Sequence, residues 1–418
     1  MARRTALALV ALAAGGNAAP SAPLTLLPQG TLGRCLDGTS SGFYLLPGDP
    51  RKFTITLAGG GECNDAPSCT SRLTSALGSS KYFAPSQTLD AGAHFADPNP
   101  SANPAFAAWT HVMLPYCSGD LHMGTRTAAS ADTFGLFFSG HLVLNETLNA
   151  LEAAHGLGSA TDILLSGDSA GGIGTWPHVD WLAGRFPSAR VTAAPLAGMY
   201  FYAYPYTGPN HTSSVLASFA PEGIELLHGL YQPFLNEACA AAHAARGASP
   251  APCMLSNYSY PYVRSAVFVT EAQTDQVQLL DHDDVPPAYV RQPEEEAYIA
   301  EWAANMSVAL GAALDPANSK DGAFSPCVWV RQAPPALPLS ASTHALTRPL
   351  PPGRRTLSMQ GLLHTHLVCA RQAHHCGRRF LARGSRVVRW RCALQLQAHG
   401  QLRRHLLQPN VPAVSALA

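Results

Sequence analysis

A Gly-x-Ser-x-Gly turn spans Gly167 to Gly171, between an apolar run, Ile163 to Leu165, and an apolar segment of small residues. A serine on so tight a strand-to-helix turn presents its hydroxyl above a sheet as a nucleophile. The turn brings backbones close together, so Gly167 and Gly171 cannot carry a β-carbon. Glycine and serine are common here, and a chance loop can imitate five residues. The strand-turn-helix context is the one the motif requires, and it is present. Ser169 is the candidate nucleophile.

A serine that transfers acyl groups needs a base, a group that orients the base, and donors for an oxyanion. On sheets of this kind the chain order is serine, acid, histidine, with one donor from a glycine-rich loop upstream. Phe53 to Leu57 alternates as a strand should and runs into Gly59-Gly60-Gly61-Glu62-Cys63-Asn64. Glycines there let backbone N–H groups face a substrate, and Ala170 supplies a second N–H. Ser265 to Val269 reads as a strand, and Asp275 in the loop behind it is the candidate acid. Asp281, Asp283 and Asp284 fall in a charged run expected to be a solvated loop. Asp168 is close in sequence, but its side chain is expected to leave the turn in another direction. His282 is too near the acid in sequence to reach the serine comfortably. His344 lies in a proline-rich stretch, and pattern alone does not choose between His364 and His366.

The remaining elements point to an α/β fold. Gly42 to Leu46 and His111 to Pro115 read as strands; residues 141–154 and 287–313 read as helices, with Glu294 to Glu296 suiting the second helix's early turns. Strands alternating with helices predict a mostly parallel central sheet flanked by helices, as in α/β-hydrolases. The 418 residues are 47% hydrophobic and 13% charged, enough for a large core. The zero net charge hides a split: residues 328–418 hold 13 arginines and no lysine, aspartate or glutamate. Such a segment is either a basic tail for polyanions or, for part of it, a mistranslation.

Residues 1–19 read as a secretory signal, with Arg3-Arg4, an apolar Ala6 to Ala14, and small residues at Gly16, Ala18 and Ala19. That run is too short to span a bilayer and no other stretch reaches the ~20 residues required, so no integral membrane segment is expected. Ten cysteines and acceptor tripeptides at Asn145, Asn210, Asn257 and Asn305 agree with a secreted, extracellular or cell-wall protein. The cysteines lack zinc-site spacing and read as disulfides, with Cys63–Cys69, Cys35–Cys117 and Cys239–Cys253 the expected pairs. No metal is expected. No Walker loop or Rossmann fingerprint occurs, so no cofactor is expected either.

Taken together, Cys35-Leu36-Asp37-Gly38, Gly59 to Asn64, Leu114 to Asp120, Ser166 to Gly172, Thr274-Asp275-Gln276 and Asp321-Gly322-Ala323-Phe324 resemble the pectin acetylesterase and Notum family of secreted serine esterases. The resemblance covers roughly residues 33–327 and implies an α/β-hydrolase variant that removes acyl groups. It implies Ser169 as nucleophile, Asp275 as acid, and Gly60, Gly61 and Ala170 as the oxyanion region. Three departures stand out. Glu62 replaces a usual Trp, and Asp168 replaces a usual Cys or Ser, tolerable if solvent-facing. The family's histidine follows Asp-Gly-x-Phe in a Cys-x-x-His pattern, but Cys327 runs into Val328. Removing residues 328–360 joins Cys327 to Gly361-Leu362-Leu363-His364 and makes His364 the expected base. The expected organisation is thus a signal (1–19), an esterase domain (20–327), an insertion or retained intron (328–360) and a remainder carrying His364 (361–418). The expected substrate is acetylated cell-wall polysaccharide, acted on by a monomer without nucleic-acid partners. A Notum-like fatty-acyl protein deacylase and a catalytically dead glycan-binding homologue are the alternatives.

Overall fold

The described part of the chain, in this computed structural model, is residues 20–326 apart from Asp90, 212–215, 288–290 and 316. The expected signal, the segment 328–360, and the remainder with His364 lie outside the described residues. The strands are β1 (Ser21–Leu26), β2 (Gly42–Leu46), β3 (Asp49–Leu57), β4 (Ser86–Thr88), β5 (Trp109–Leu114), β6 (Asp162–Asp168), β7 (Arg190–Leu196), β8 (Ala266–Thr270) and β9 (Gly322–Phe324). The helices are α1 (Ala66–Ser71), α2 (Gly140–His155), α3 (Ala170–Arg185), α4 (Pro221–Tyr231), α5 (Glu237–Ala244), α6 (Ser256–Ser259), α7 (Pro293–Ala309) and α8 (Gly311–Leu314).

All nine strands join one sheet in the order β4-β1-β2-β5-β3-β6-β7-β8-β9. From β5 to β9 every pairing is parallel, while β1, β2 and β4 add antiparallel pairings at one edge. The parallel strands read as apolar runs because helices cover both faces. Ile55, Leu57, Ile163 and Leu165 are fully buried, in one core with Leu144, Leu148 and Leu151 of α2, Trp176 of α3 and Trp302 of α7. A second core under the site holds Leu36, Phe138, Ile173, Tyr231 and Met254.

The expected strands at 42–46, 53–57, 111–115 and 265–269 and the helix at 141–154 occur within a few residues of their predicted bounds. The helix expected over 287–313 starts only at Pro293 and divides into α7 and α8 at Leu310. Proline suits a first helical turn and is costly further in, so Pro286, Pro287 and Pro293 delay the start. β1, β4, β7 and β9 were not legible in the pattern. The Asp281–Asp284 run is not a solvated loop: His282 and Asp283 are buried, and burial pushes the Asp283 carboxyl up to about 7.

All three expected cysteine pairs form: Cys35–Cys117, Cys63–Cys69 and Cys239–Cys253. The first closes a separation of 82 residues, the second only 6. Loop entropy makes these worth about 4.5 and about 2 kcal/mol respectively. The double variant Cys35→Ser/Cys117→Ser is therefore expected to lose more stability than Cys63→Ser/Cys69→Ser in denaturant unfolding. Equal losses would contradict the entropic account.

Candidate active site

β6 ends at Asp168, and Ser169 makes the turn into α3 with φ 52° and ψ −120°. That backbone is strained by roughly 1–3 kcal/mol for a residue with a β-carbon, and such strain collects at functional sites. The Ser169 N–H donates to the Leu196 carbonyl at 2.9 Å, which ties the turn to the end of β7. The glycines permit the close approach. A Cβ on Gly171 would sit 2.0 Å from the Leu57 carbonyl oxygen, and one on Gly167 would sit 2.5 Å from the Gly171 backbone. Ser169 is half-buried, and among the described residues no hydrogen bond engages its Oγ.

The glycine loop lies beside it because β3 and β6 are parallel neighbours, with Leu57 opposite Gly167. A Cβ on Gly59 would come 3.1 Å from the Ser169 Cβ. The loop is braced at four points. His122 Nε2 donates to the Ala58 carbonyl at 2.8 Å, and Gly59 N–H donates to Asp168 Oδ1 at 3.2 Å. Arg72 donates to the Gly60 carbonyl at 2.8 Å and the Glu62 carbonyl at 2.6 Å. Arg72 follows α1, which the Cys63–Cys69 disulfide ties to the loop's end. Burial lowers the His122 pKa to about 4, so its ring is neutral and holds Ala58 without adding charge. Gly61 has φ +65°, a conformation open to glycine. Among the described residues no hydrogen bond takes up the N–H of Gly60, Gly61 or Ala170. Ala170 is also the first residue of α3, where the helix dipole favours negative charge.

The half-buried Asp168 turns its carboxylate away from the serine turn onto the glycine loop, where Oδ1 accepts the Gly59 N–H. Glu62 is also placed unlike a tryptophan. Its Oε1 accepts the Ala217 N–H at 2.9 Å and lies 3.6 Å from His282 Nδ1, and both side chains are buried. His282 Nδ1 donates to the Ala217 carbonyl at 2.7 Å, so this histidine anchors the 217–219 segment.

Asp275 follows β8, and β6, β7 and β8 end in one row, Asp168 beside Leu196 and Leu196 beside Thr270. Its Oδ1 accepts Val277 N–H at 2.7 Å and Gln278 N–H at 3.3 Å; its Oδ2 accepts Gln278 Nε2 at 3.3 Å. The chain leaving β9 returns to this loop, since Glu271 N–H donates to the Phe324 carbonyl and Gln273 N–H to the Pro326 carbonyl. Asp321 of the Asp-Gly-x-Phe segment is structural: Val267 N–H, Tyr260 Oη and Asn318 Nδ2 all donate to it. Sequence reading missed the braces His122 and Arg72, whose only signal was their proximity to the glycine loop and to Asp120.

Other candidates are placed as follows. Asn210 and Asn305 are exposed; Asn145 and Asn257 are half-buried, and Asn145 Oδ1 accepts from Arg185 at 2.7 Å. Cys239, His243 and Cys253 cluster, but both sulfurs are in the disulfide and lack the thiolate a metal requires. A cleft between Trp181, Arg185 and Arg264 opens at the far end of α3, away from Ser169.

A family model described as pectinacetylesterase matches residues 17–331. Pectin acetylesterase 5 of Arabidopsis thaliana is 30% identical over 58% of this chain and 54% of its own. The palmitoleoyl-protein carboxylesterase NOTUM of Drosophila melanogaster is 29% identical over 67% of this chain and 40% of its own. The chain spans about half the length of the curated relatives it matches. A solved structure of the Wnt deacylase Notum from Drosophila superposes with a TM-score of 0.62 at 26% identity, covering 73% of this chain and 84% of that one. With that match over most of its length, and a mostly parallel sheet that superposes on Notum, the chain belongs to the pectinacetylesterase family.

Proposed function

We propose that this protein is a secreted carboxylic ester hydrolase that removes O-acetyl groups from cell-wall polysaccharide. The observation that carries this reading is Ser169 at the β6–α3 turn beside a loop whose Gly60 and Gly61 N–H groups are unengaged among the described residues, with that of Ala170 next to it. Ser169 Oγ attacks the ester carbonyl while His364 takes its proton, and Asp275 orients the imidazole and balances its charge. The carbonyl oxygen becomes an oxyanion on the N–H groups of Gly61 and Ala170, with Gly60 shaping the loop. As the C–O bond breaks, the imidazolium gives its proton to the departing sugar oxygen, which leaves as a hydroxyl. Water, activated by the same imidazole, releases acetate and restores Ser169.

A catalytically dead binder would have no use for the strained serine or the free donors. The three disulfides support an extracellular or cell-wall location for a monomer, and no helix among the described residues is long and apolar enough to cross a membrane. The superposition on Notum favours a second reading, a fatty-acyl protein substrate. Against it, Glu62, where the family usually has Trp, puts a buried carboxylate beside the glycine loop, and a buried polar group is a poor neighbour for a long alkyl chain.

The experiment is a comparison of acetylated pectin, a palmitoleoylated peptide and a fluorophosphonate probe on the full chain. Acetate release with labelling at Ser169 is expected. Preference for the palmitoleoylated peptide would replace the substrate, and no labelling at Ser169 would remove the enzyme reading.

A further inference from the structure

We infer that Arg72 is a positioning residue for the oxyanion donor, acting through the peptide that joins Gly60 to Gly61; this rests on the proposed esterase reading. A peptide unit is planar and trans, so the carbonyl of one residue and the N–H of the next point in opposite directions and turn together. The Arg72 guanidinium donates from Nη1 to the Gly60 carbonyl at 2.8 Å and from Nη2 to the Glu62 carbonyl at 2.6 Å. Holding the Gly60 carbonyl therefore aims the Gly61 N–H away from the arginine. Two bonds from one flat guanidinium restrain its own plane, and so the rotation of the peptide it grips.

The neighbouring peptides of the loop are fixed at both ends. In the Ala58–Gly59 peptide, His122 holds the carbonyl at 2.8 Å and the N–H donates to Asp168 at 3.2 Å. In the Glu62–Cys63 peptide, Arg72 holds the carbonyl and the N–H donates to the Gly119 carbonyl at 3.1 Å. The Gly60–Gly61 peptide is different. Its carbonyl is held, and among the described residues no hydrogen bond takes up its N–H. Gly60 and Gly61 have φ of +151° and +65°, and without β-carbons they offer little resistance to rotation of that peptide. Arg72 supplies the restraint. Its own base is anchored, because its N–H donates to the Cys69 and Thr70 carbonyls and Cys69 is bonded to Cys63 at the end of the loop. The guanidinium also polarises the peptide it holds, which strengthens the Gly61 N–H as a donor. The Gly60 N–H belongs to the preceding peptide and gains nothing from this grip.

The test uses the full chain and the variants Arg72→Ala, Arg72→Lys and Ser169→Ala. The probes are an acetyl ester, ethylguanidinium, and a trifluoromethyl ketone that takes up the Ser169 Oγ as a tetrahedral oxyanion. Arg72→Ala is expected to lower kcat about 10- to 100-fold with KM little changed, and to weaken the ketone by the same factor. Arg72→Lys, whose ammonium cannot span both carbonyls as the fork does, is expected to recover part of that loss. Added ethylguanidinium is expected to restore part of kcat in Arg72→Ala and none in Ser169→Ala. A folded Arg72→Ala with undiminished kcat overturns the inference and leaves the oxyanion to the Gly60 N–H. A fall in kcat with the ketone bound as tightly as before overturns it too, since that marks a purely structural brace. If Arg72→Ala does not fold, Arg72→Lys carries the same comparison: kcat and ketone affinity falling together support the inference, and a fall in only one overturns it. An unsubstituted chain that neither releases acetate nor takes a fluorophosphonate at Ser169 would remove the esterase reading itself, and this inference with it.

Discussion

Ser169→Ala is expected to lower kcat on an acetyl ester by about 10⁴- to 10⁶-fold while leaving the unfolding midpoint nearly unchanged. The reasons are separable. The hydroxyl is the attacking atom, so its loss removes the covalent route. The braces of the glycine loop come from His122, Asp168 and Arg72, and their bonds to it do not run through the Ser169 Oγ, so donor geometry persists. Whatever rate remains measures the oxyanion donors and substrate positioning alone. Alanine at this position keeps the strained backbone, because the strain comes from the β-carbon and not the hydroxyl. Release of acetate by the variant at the unsubstituted rate would discard Ser169 as nucleophile.

Asp275→Asn is expected to lower kcat by about 10³- to 10⁴-fold with KM little changed. The carboxylate is asked to hold the imidazole tautomer and to balance the imidazolium in the transition state. An amide does neither. It also sets an NH₂ group against Gln278 Nε2, where Oδ2 now accepts, so two donors meet. That mismatch costs roughly 1–3 kcal/mol of stability. Thermal unfolding measured beside kinetics separates the two losses, and Asp283→Asn serves as comparison. Asp283 is buried near Trp302 and Tyr298 past the π turn, and its substitution is expected to affect stability more than kcat. Loss of kcat in Asp283→Asn with a normal Asp275→Asn would move the acid to Asp283.

Much of the local geometry of the candidate site was legible in the sequence. The Gly167–Gly171 turn, the Gly59–Gly61 loop and Asp275 behind a strand are local patterns, each set by a backbone demand that few residues meet. The three cysteine pairs also emerged as expected, although nothing in their spacing dictates connectivity. β7 escaped notice for a physical reason. After Val191 and Thr192 it carries Ala193, Ala194 and Pro195, because the first turn of α3 lies against its end: a Cβ on Gly172 would sit 2.4 Å from the Leu196 carbonyl oxygen. Close packing selects small side chains, and small side chains erase the strand signal.

The buried acids were the larger omission. Asp283 and Glu271 look like surface charges in a polar run, and only the fold puts both out of water. The role of Asp168 was likewise unread: it holds Gly59, since strand register places β3's outgoing loop over the end of β6.

By itself the sequence determined where the chain turns, which serine the turn displays and which glycines must crowd it, because these are short-range consequences of backbone sterics. The tertiary structure alone decided that Asp168 braces the glycine loop, that Glu62 lies against His282, and that Glu271 is buried at the end of β8. Those roles depend on which strands become neighbours and which carboxyls lose their water, and neither is encoded within any one segment.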